Sequence, residues 1–163
     1  MHTDICIIGA GMVGLSLANQ ITERFPNLSI TIVEKENKIG KHTSGRNSGV
    51  LHAGIYYEPG SIKAKVCVEG AQRLKNWCKE NNISILDCGK VITPQKAELD
   101  NQIDELYKRG ISNGAKVEII DENQFNSIVP DGFTSTGRAL WSPSTSVVNP
   151  KEVINRLKDI LSK

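Results

Sequence analysis

The stretch that decides the fold is ICIIGAGMVG, residues 5–14, near the start of a chain of 163 residues. A continuous apolar run is typical of a buried parallel strand, and three glycines at G-x-G-x-x-G spacing follow it. The first glycine permits a tight turn, the second lets an anionic group approach the backbone, and the third lets a helix pack closely against the strand. The stretch therefore predicts a strand, a phosphate-binding turn and a helix.

An acidic residue lies where a dinucleotide-binding unit needs one. The next apolar run, residues 30–33, ends at Glu34, twenty residues after Gly14. A carboxylate there accepts hydrogen bonds from ribose hydroxyls and would repel the additional phosphate of NADP. FAD and NAD share this pattern, so these residues do not choose between them. The alternative is an ordinary glycine-rich turn in an α/β domain.

Composition excludes several classes of protein. Twenty basic and 18 acidic residues give a net charge of +2, and without a basic stripe we expect no nucleic-acid partner. The first strand begins so early that we expect no leader peptide, and no apolar stretch approaches the roughly 18 residues of a membrane span. The cysteines have neither C-x-x-C nor metal-ligand spacing, which predicts buried free thiols in a reducing cytoplasm and no metal site. These cysteines are Cys6, Cys67, Cys78 and Cys88.

Periodicity and capping signals predict alternating strands and helices along the chain. A glycine-rich stretch without regular periodicity occupies residues 36–60. Residues 121–124 have a capping-box pattern, and Asn149 followed by Pro150 begins the last helix. The predicted strands are 4–8, 29–34, 83–85, 90–93, 116–120 and 137–141, and the predicted helices are 12–25, 61–81, 95–109 and 149–163.

The glycine-rich stretch also carries a family resemblance. GRNSGVLHAGIYY, residues 45–57, and PGSIKA, residues 59–64, resemble L-2-hydroxyglutarate oxidases and dehydrogenases, which are D-amino-acid-oxidase-like FAD enzymes. The resemblance extends through residues 67–70 and 88–91, and more loosely through 139–140 and 143–150. It covers essentially the whole chain and is most specific over residues 4–93.

The resemblance implies a flavoprotein oxidoreductase. FAD would be its cofactor, and L-2-hydroxyglutarate would be oxidised to 2-oxoglutarate by hydride transfer to flavin N5. The electron acceptor would be oxygen or a quinone chain, in the cytoplasm or at the periphery of the inner membrane. Two alternatives remain open. One is a related FAD enzyme that acts on an amine, an amino acid or glycerol 3-phosphate, and the other is an inactive, truncated nucleotide-binding fragment.

The predicted fold class is α/β, with a Rossmann-like FAD-binding βαβ unit followed by the start of an α+β substrate domain. We assign residues 1–82 to the FAD-binding part, 83–148 to the start of the substrate domain, and 149–163 to a helix that returns to the FAD-binding part. The chain ends on a helix where a further parallel strand is expected. This pattern predicts an incomplete sheet, as in the N-terminal portion of a longer enzyme.

The glycine turn and the resemblance together imply a set of cofactor-binding residues. Glu34 would meet the adenosine ribose, and Lys35 would lie beside it or be a solvated charge at the strand end. The loop from Thr43 to Ser48 would offer donors to the pyrophosphate and flavin, or else be a polar surface loop. The cofactor set is Gly9, Gly11, Met12, Val13, Gly14, Glu34, Lys35, Thr43, Ser44, Arg46, Asn47, Ser48, Gly49, Val50, Leu51 and His52.

His52 is the candidate catalytic residue. Its position resembles that of the histidine that joins the flavin covalently in dimethylglycine and sarcosine dehydrogenases. The resemblance implies a flavin neighbour, a proton acceptor near neutral pH or a covalent attachment point. A hydrogen-bonded structural histidine is the alternative. Tyr56 and Tyr57 would either reach the substrate or form a packed aromatic pair.

Overall fold

A computed structural model describes residues 2–162, which form two compact units. The first unit combines the residues up to Gly49 with Asn81–Ser84 and the residues from Val148 onward, and the second contains Val50–Glu80 and Ile85–Val147. The strands are β1 (Ile5–Ile8), β2 (Ile30–Val33), β3 (Val50–Leu51), β4 (Ile85–Leu86), β5 (Lys90–Ile92), β6 (Glu118–Asp121), β7 (Arg138–Ser142) and β8 (Ser146–Val148), and the helices are α1 (Met12–Arg24), α2 (Ile62–Glu80), α3 (Asn101–Ser112), α4 (Glu122–Ile128) and α5 (Pro150–Leu161).

The first unit is the predicted βαβ arrangement with one added helix. Strands β1 and β2 pair in parallel, with Ile5 opposite Ile30. Helix α1 connects them, and α5 packs against α1. Apolar residues at helical spacing on α1 and α5 are buried, which places the core of this unit along the two helices. They are Leu15, Ala18, Val153, Ile154 and Leu157.

Strand β1 is less buried than its apolar sequence predicts. Ile7 is buried, but Cys6 is exposed and the side chain of Ile8 is 89% exposed. A run that is apolar at every position suits a strand covered on both faces. Among the described residues β1 pairs only with β2, which leaves its other edge unpaired, and the exposed Cys6 and Ile8 lie on the face opposite the buried Ile7.

The second unit is built on two three-stranded sheets. In one, β8 lies between β3 and β4, and in the other β7 lies between β5 and β6 with antiparallel pairing on both sides. Helix α3 packs against β6 and β7. The core of this unit is apolar and consists mainly of Ile55, Ile103, Ala115, Val117, Ile120, Phe125, Ala139 and Leu140.

The structure confirms most of the predicted elements and both predicted helix starts. Asp121 and Gln124 form the capping box of α4, and Asn149 caps α5 with Pro150 in its first turn. The helix predicted over 95–109 is shifted, because residues 97–99 form a separate 3₁₀ turn before α3. Strands β3 and β8 were not predicted.

The predicted assignment of residues 1–82, 83–148 and 149–163 to cofactor and substrate domains stays a prediction. In space, residues of α2 belong to the second unit, and α5 belongs to the first. No helix within residues 2–162 is both long and apolar enough to cross a lipid bilayer.

The prediction that the cysteine thiols are buried is wrong for two of the four. Cys78 is buried and Cys67 is partly buried, whereas Cys6 and Cys88 are exposed. Cys6 faces the exposed side of β1, and Cys88 lies in the irregular segment that connects β4 to β5. All four thiols are free, and residues 2–162 contain no cluster of metal-binding side chains.

Candidate functional site

The glycine turn of the first unit depends on two close backbone approaches. Gly9 has a φ of +103°, and its N–H donates to the carbonyl of Val33 at 2.7 Å. A Cβ atom on Gly14 would lie 2.0 Å from the carbonyl oxygen of Gly9. Because no side chain fits at that distance, Gly14 is what allows α1 to begin against the turn.

The N-terminus of α1 carries no negative charge of its own. Its N-cap, Gly11, offers no side chain, and the first turn contains no acidic residue. The N–H of Met12 donates to the hydroxyl of Ser44 at 3.0 Å. Unpaired N–H groups and the helix dipole together favour an anion at such an end. The next residue, Val13, is 82% exposed, so this end of the helix is accessible.

Glu34 is held beside the turn by two backbone hydrogen bonds. Its carboxylate accepts from the N–H of Ala10 at 2.8 Å and from the N–H of Glu36 at 3.1 Å. These bonds, that to Glu36 first and that to Ala10 second, lower the pKa of Glu34 because they stabilise the charged form. A carboxylate has about four acceptor sites, so an oriented and ionised Glu34 can also receive a ribose hydroxyl.

A cleft of about 300 Å³ brings several predicted residues together. Its size reaches the lower end of the range for small-molecule sites, and it suits part of a dinucleotide. The glycine turn, the ionised Glu34 carboxylate and a helix N-terminus without an acidic residue match the needs of a pyrophosphate and its ribose. The lining includes Gly9, Gly11, Glu34, Lys35 and Ser44, together with Gly40, Lys41 and His42, to which the sequence assigned no role.

Arg46 lies elsewhere in the first unit. It lines a second cleft, of about 320 Å³, that also contains Gly40 and Lys41 but none of the three glycines of the turn. Lys38 and Lys151 contribute further positive charge to this second cleft. An anion contacted by Arg46 would therefore approach the unit from the Lys38 and Lys151 side, a feature that spacing along the sequence did not reveal.

The loop between Thr43 and Gly49 is braced from within. The amide of Asn47 donates to the carbonyl of Ser44 at 2.8 Å and accepts from the N–H of Gly49 at 2.9 Å. A Cβ atom on Gly49 would lie 2.0 Å from the carbonyl oxygen of Val148, so a backbone contact already requires this glycine. Thr43 and Ser48 are exposed in the same loop.

In the second unit, Val50 and Leu51 form β3, and His52 follows with an exposed side chain. Loss of hydration, and then the positive charge of Lys90, lower the pKa of His52, since both disfavour the imidazolium. The thiol of Cys67 donates to the carbonyl of His52 at 3.3 Å. The imidazole is therefore neutral near pH 7 and able to accept a proton.

Lys90 and Tyr56 are neighbours of His52 that the sequence did not single out as a pair. The ammonium of Lys90 lies 2.6 Å from the Tyr56 hydroxyl and 4.3 Å from the centre of its ring. His52, Tyr56 and Lys90 line one narrow surface crevice, which has no room for a water molecule, together with Tyr57. No sequence signal joins them, because Lys90 reaches this place through the pairing of β5 with β7.

Asn113 fixes the loop that follows His52. Its side-chain amide donates to the carbonyl of Gly54 at 2.9 Å and to the carbonyl of Tyr57 at 2.8 Å. Asn113 lies at the end of α3, more than fifty residues away along the chain. This long-range anchoring sets the position of Tyr56, and no local pattern in the sequence indicates it.

The glycine turn and the cleft beside it define a dinucleotide-binding unit, and the chain belongs to the FAD-dependent oxidoreductase family, whose model matches residues 4–163. It is 44% identical over 153 residues to the mitochondrial L-2-hydroxyglutarate dehydrogenase of Dictyostelium discoideum, an alignment that covers 92% of this chain and 34% of that protein. The L-2-hydroxyglutarate dehydrogenase of Indibacter alkaliphilus is 37% identical over 157 residues, and this alignment covers 96% of this chain and 39% of that protein.

Solved structures share the fold at lower sequence identity. The chain is similar to FAD-bound L-alpha-glycerophosphate oxidase from Mycoplasma pneumoniae, with a TM-score of 0.90 and 22% identity over 99% of this chain and 43% of that one. Glycine oxidase from Geobacillus kaustophilus gives a TM-score of 0.86 at 16% identity, and the match covers 98% of this chain and 44% of that one. The chain spans about a third of the length of the curated relatives it matches.

Proposed function

We propose that this chain provides the FAD-binding part of an enzyme that oxidises L-2-hydroxyglutarate to 2-oxoglutarate. The observation that carries the proposal is the Glu34 carboxylate, fixed by backbone donors beside the glycine turn. Its ionised state suits an unphosphorylated ribose. The choice of substrate is supported by relatives at 37–44% identity that bear the name L-2-hydroxyglutarate dehydrogenase.

The cofactor-binding roles are proposals of the same kind. Gly9, Gly11 and Gly14 would admit the pyrophosphate to the backbone, with Met12 and Val13 at the start of α1 beneath it. Ser44 and its loop would contribute hydroxyl and amide donors. Lys35 would lie beside the ribose. The remaining proposed contacts come from Thr43, Arg46, Asn47, Ser48, Gly49, Val50 and Leu51.

His52 is proposed to remove the proton from the substrate hydroxyl. Bound FAD would supply the acceptor, flavin N5, for the hydride that leaves C2 of the substrate. The lowered pKa of His52 keeps its imidazole neutral near pH 7, which a general base requires. Its exposed side chain is accessible to a small 2-hydroxy acid.

The acceptor that reoxidises the enzyme is proposed to be oxygen or a quinone chain. Oxygen fits an enzyme in the cytoplasm, and a quinone fits peripheral contact with the inner membrane. Steady-state assays with each acceptor, with and without membrane vesicles, distinguish these two arrangements.

The first test is a titration of the purified chain with FAD, followed by flavin fluorescence, with NAD as competitor. We expect saturable FAD binding that NAD does not displace, because the chain belongs to the FAD-dependent oxidoreductase family. A folded chain that binds NAD in preference to FAD, or binds neither, would contradict the assignment of these residues to FAD.

The substrate is tested by anaerobic reduction of the FAD-loaded holoenzyme. We expect L-2-hydroxyglutarate to bleach the flavin absorbance and its D-enantiomer to leave it unchanged. Faster bleaching by glycerol 3-phosphate, an amino acid or a secondary amine would replace the proposed substrate. A flavin that none of these compounds reduces would favour an inactive nucleotide-binding fragment.

A further inference from the structure

We propose that Lys90 binds the carboxylate attached to the reacting carbon of the 2-hydroxy acid substrate, next to His52. This inference rests on the proposed function and names the residue that recognises the substrate. Lys90 would be a specificity-determining residue, since it would select substrates that carry an anion beside the hydroxyl group.

The charge of Lys90 is not neutralised by a protein carboxylate. Its ammonium contacts the hydroxyl and the ring of Tyr56, and none of the ion pairs found among residues 2–162 includes it. A Lys ammonium has three donors, of which the tyrosine hydroxyl accepts one. The other donors therefore remain for solvent or for an anionic ligand.

Tyr56 supplies a second donor to the same place. Because Lys90 donates to the Tyr56 oxygen, the hydroxyl hydrogen of Tyr56 is directed elsewhere. An ammonium and a phenol hydroxyl side by side present two donors to the two oxygens of a carboxylate. The side chain of Tyr56 is 42% exposed, so an incoming acid can reach this pair.

The position of Lys90 relative to His52 indicates which carboxylate is bound. The two residues line the same narrow surface crevice, and the charge of Lys90 contributes, after loss of hydration, to the lowered pKa of His52. If His52 accepts the proton of the C2 hydroxyl, the group nearest to that hydroxyl is the C1 carboxylate. A carboxylate bound at the exposed mouth of this crevice, beside Tyr56, would also offset the repulsion between the Lys90 ammonium and a protonated His52.

The test compares Lys90→Met and Lys90→Arg with the wild-type holoenzyme on L-2-hydroxyglutarate and on L-2-hydroxybutyrate, which lacks the distal carboxylate. A charge-assisted hydrogen bond corresponds to about a 10- to 100-fold change in affinity. We expect Lys90→Met to raise KM by about that factor for both acids, with a smaller effect on kcat. Lys90→Arg, which keeps the charge, should recover most of the loss.

The pH profile separates this role from a merely structural one. Lys90 lowers the pKa of His52, so Lys90→Met should raise it and move the acid limb of kcat/KM to higher pH. Lys63→Met is the matched control, because Lys63 lies 4.9 Å from the ring centre of the adjacent Tyr57 and contributes nothing to the shift at His52. We expect the control to leave both KM and the acid limb unchanged.

The measurements distinguish a failure of the proposed function from a failure of the role assigned to Lys90. Wild-type flavin that L-2-hydroxyglutarate does not reduce contradicts the proposed function. Wild-type flavin that is reduced, with unchanged KM in a folded Lys90→Met variant, overturns the assignment of Lys90. A loss of affinity for the diacid alone would place Lys90 at the distal carboxylate and would overturn the proposed position.

Discussion

At the scale of single residues, the approach of Gly14 to the backbone of Gly9 is one of the tight constraints on the fold. An alanine at position 14 would place its Cβ 2.0 Å from a backbone oxygen, so the turn or α1 must shift. We expect Gly14→Ala to lower the free energy of unfolding by about 1–3 kcal/mol and to weaken FAD binding. Chemical denaturation and flavin titration measure the two effects.

The control for this change is Gly70→Ala. Gly70 lies within α2, and a Cβ atom there meets nothing within 4 Å. The substitution should raise the free energy of unfolding by up to about 1 kcal/mol, since alanine is the better helix former. Equal destabilisation by the two substitutions would show that the contact with Gly9 is not the cause.

The carboxylate of Glu34 makes stability depend on pH in a defined direction. Its pKa in the folded chain lies below the ordinary value of 4.5, so its contribution is fully present above that pH and is lost as pH falls through the folded pKa. We expect Glu34→Gln to be less stable than wild type at neutral pH. The two carboxylate oxygens of Glu34 each accept from one backbone N–H group, whereas the glutamine amide has only one oxygen. The difference should shrink below about pH 4.5.

Denaturant unfolding at several pH values measures this difference. Glu105→Gln, which alters an exposed carboxylate on α3, is the control and should give no comparable difference. If the difference in unfolding free energy between Glu34→Gln and wild type stays constant as the pH falls well below 4.5, the charge of the carboxylate is not its cause.

Single residues also mark the limit of prediction from sequence. Glu34 was found because its distance from the glycine turn follows from the length of a βαβ unit. The roles of Lys90 and Asn113 could not be predicted in this way. Their places beside the His52 loop depend on hydrogen bonds and strand pairing between residues that lie many tens of positions apart in the sequence. Cys6 was misjudged for a related reason, since an apolar pattern does not reveal whether a second face is covered.

At the scale of elements, helix α5 depends on its first turn. The side chain of Asn149 accepts from the N–H of Lys151 at 3.0 Å, and Pro150 suits the start of the helix. We expect Asn149→Ala to cost about 1 kcal/mol of unfolding free energy, and Asn149→Ser to be nearly neutral because it keeps an acceptor without placing a second carboxylate beside Glu152. Thermal unfolding of both variants measures the effect, and similar losses in both would contradict a capping role.

Local chemistry explains which elements were predictable. Capping residues and apolar periodicity act within a few residues, so the starts of α4 and α5 could be predicted from the sequence. Strands β3 and β8 are two and three residues long, and each depends on a partner about a hundred residues away. A segment that short contains no period from which a strand can be recognised.

At the scale of the whole molecule, the α/β class and the parallel βαβ arrangement could be predicted, since the glycine turn and its flanking strands are specific. The division into units could not be. The first unit is assembled from three separate segments, and the second unit occupies the sequence between them. Contacts that join distant segments leave no local trace in composition or periodicity.

This interleaving has a consequence for synthesis on the ribosome. Helix α1 emerges early, but α5, which covers it, begins only at Pro150. At about 5–20 residues per second, roughly 7–27 s pass after α1 is made before Val153 and Leu157 can pack onto Leu15 and its neighbours. The nascent N-terminal segment therefore presents an apolar helix surface for that whole interval, and a chaperone that binds apolar helices has its best opportunity before α5 is made.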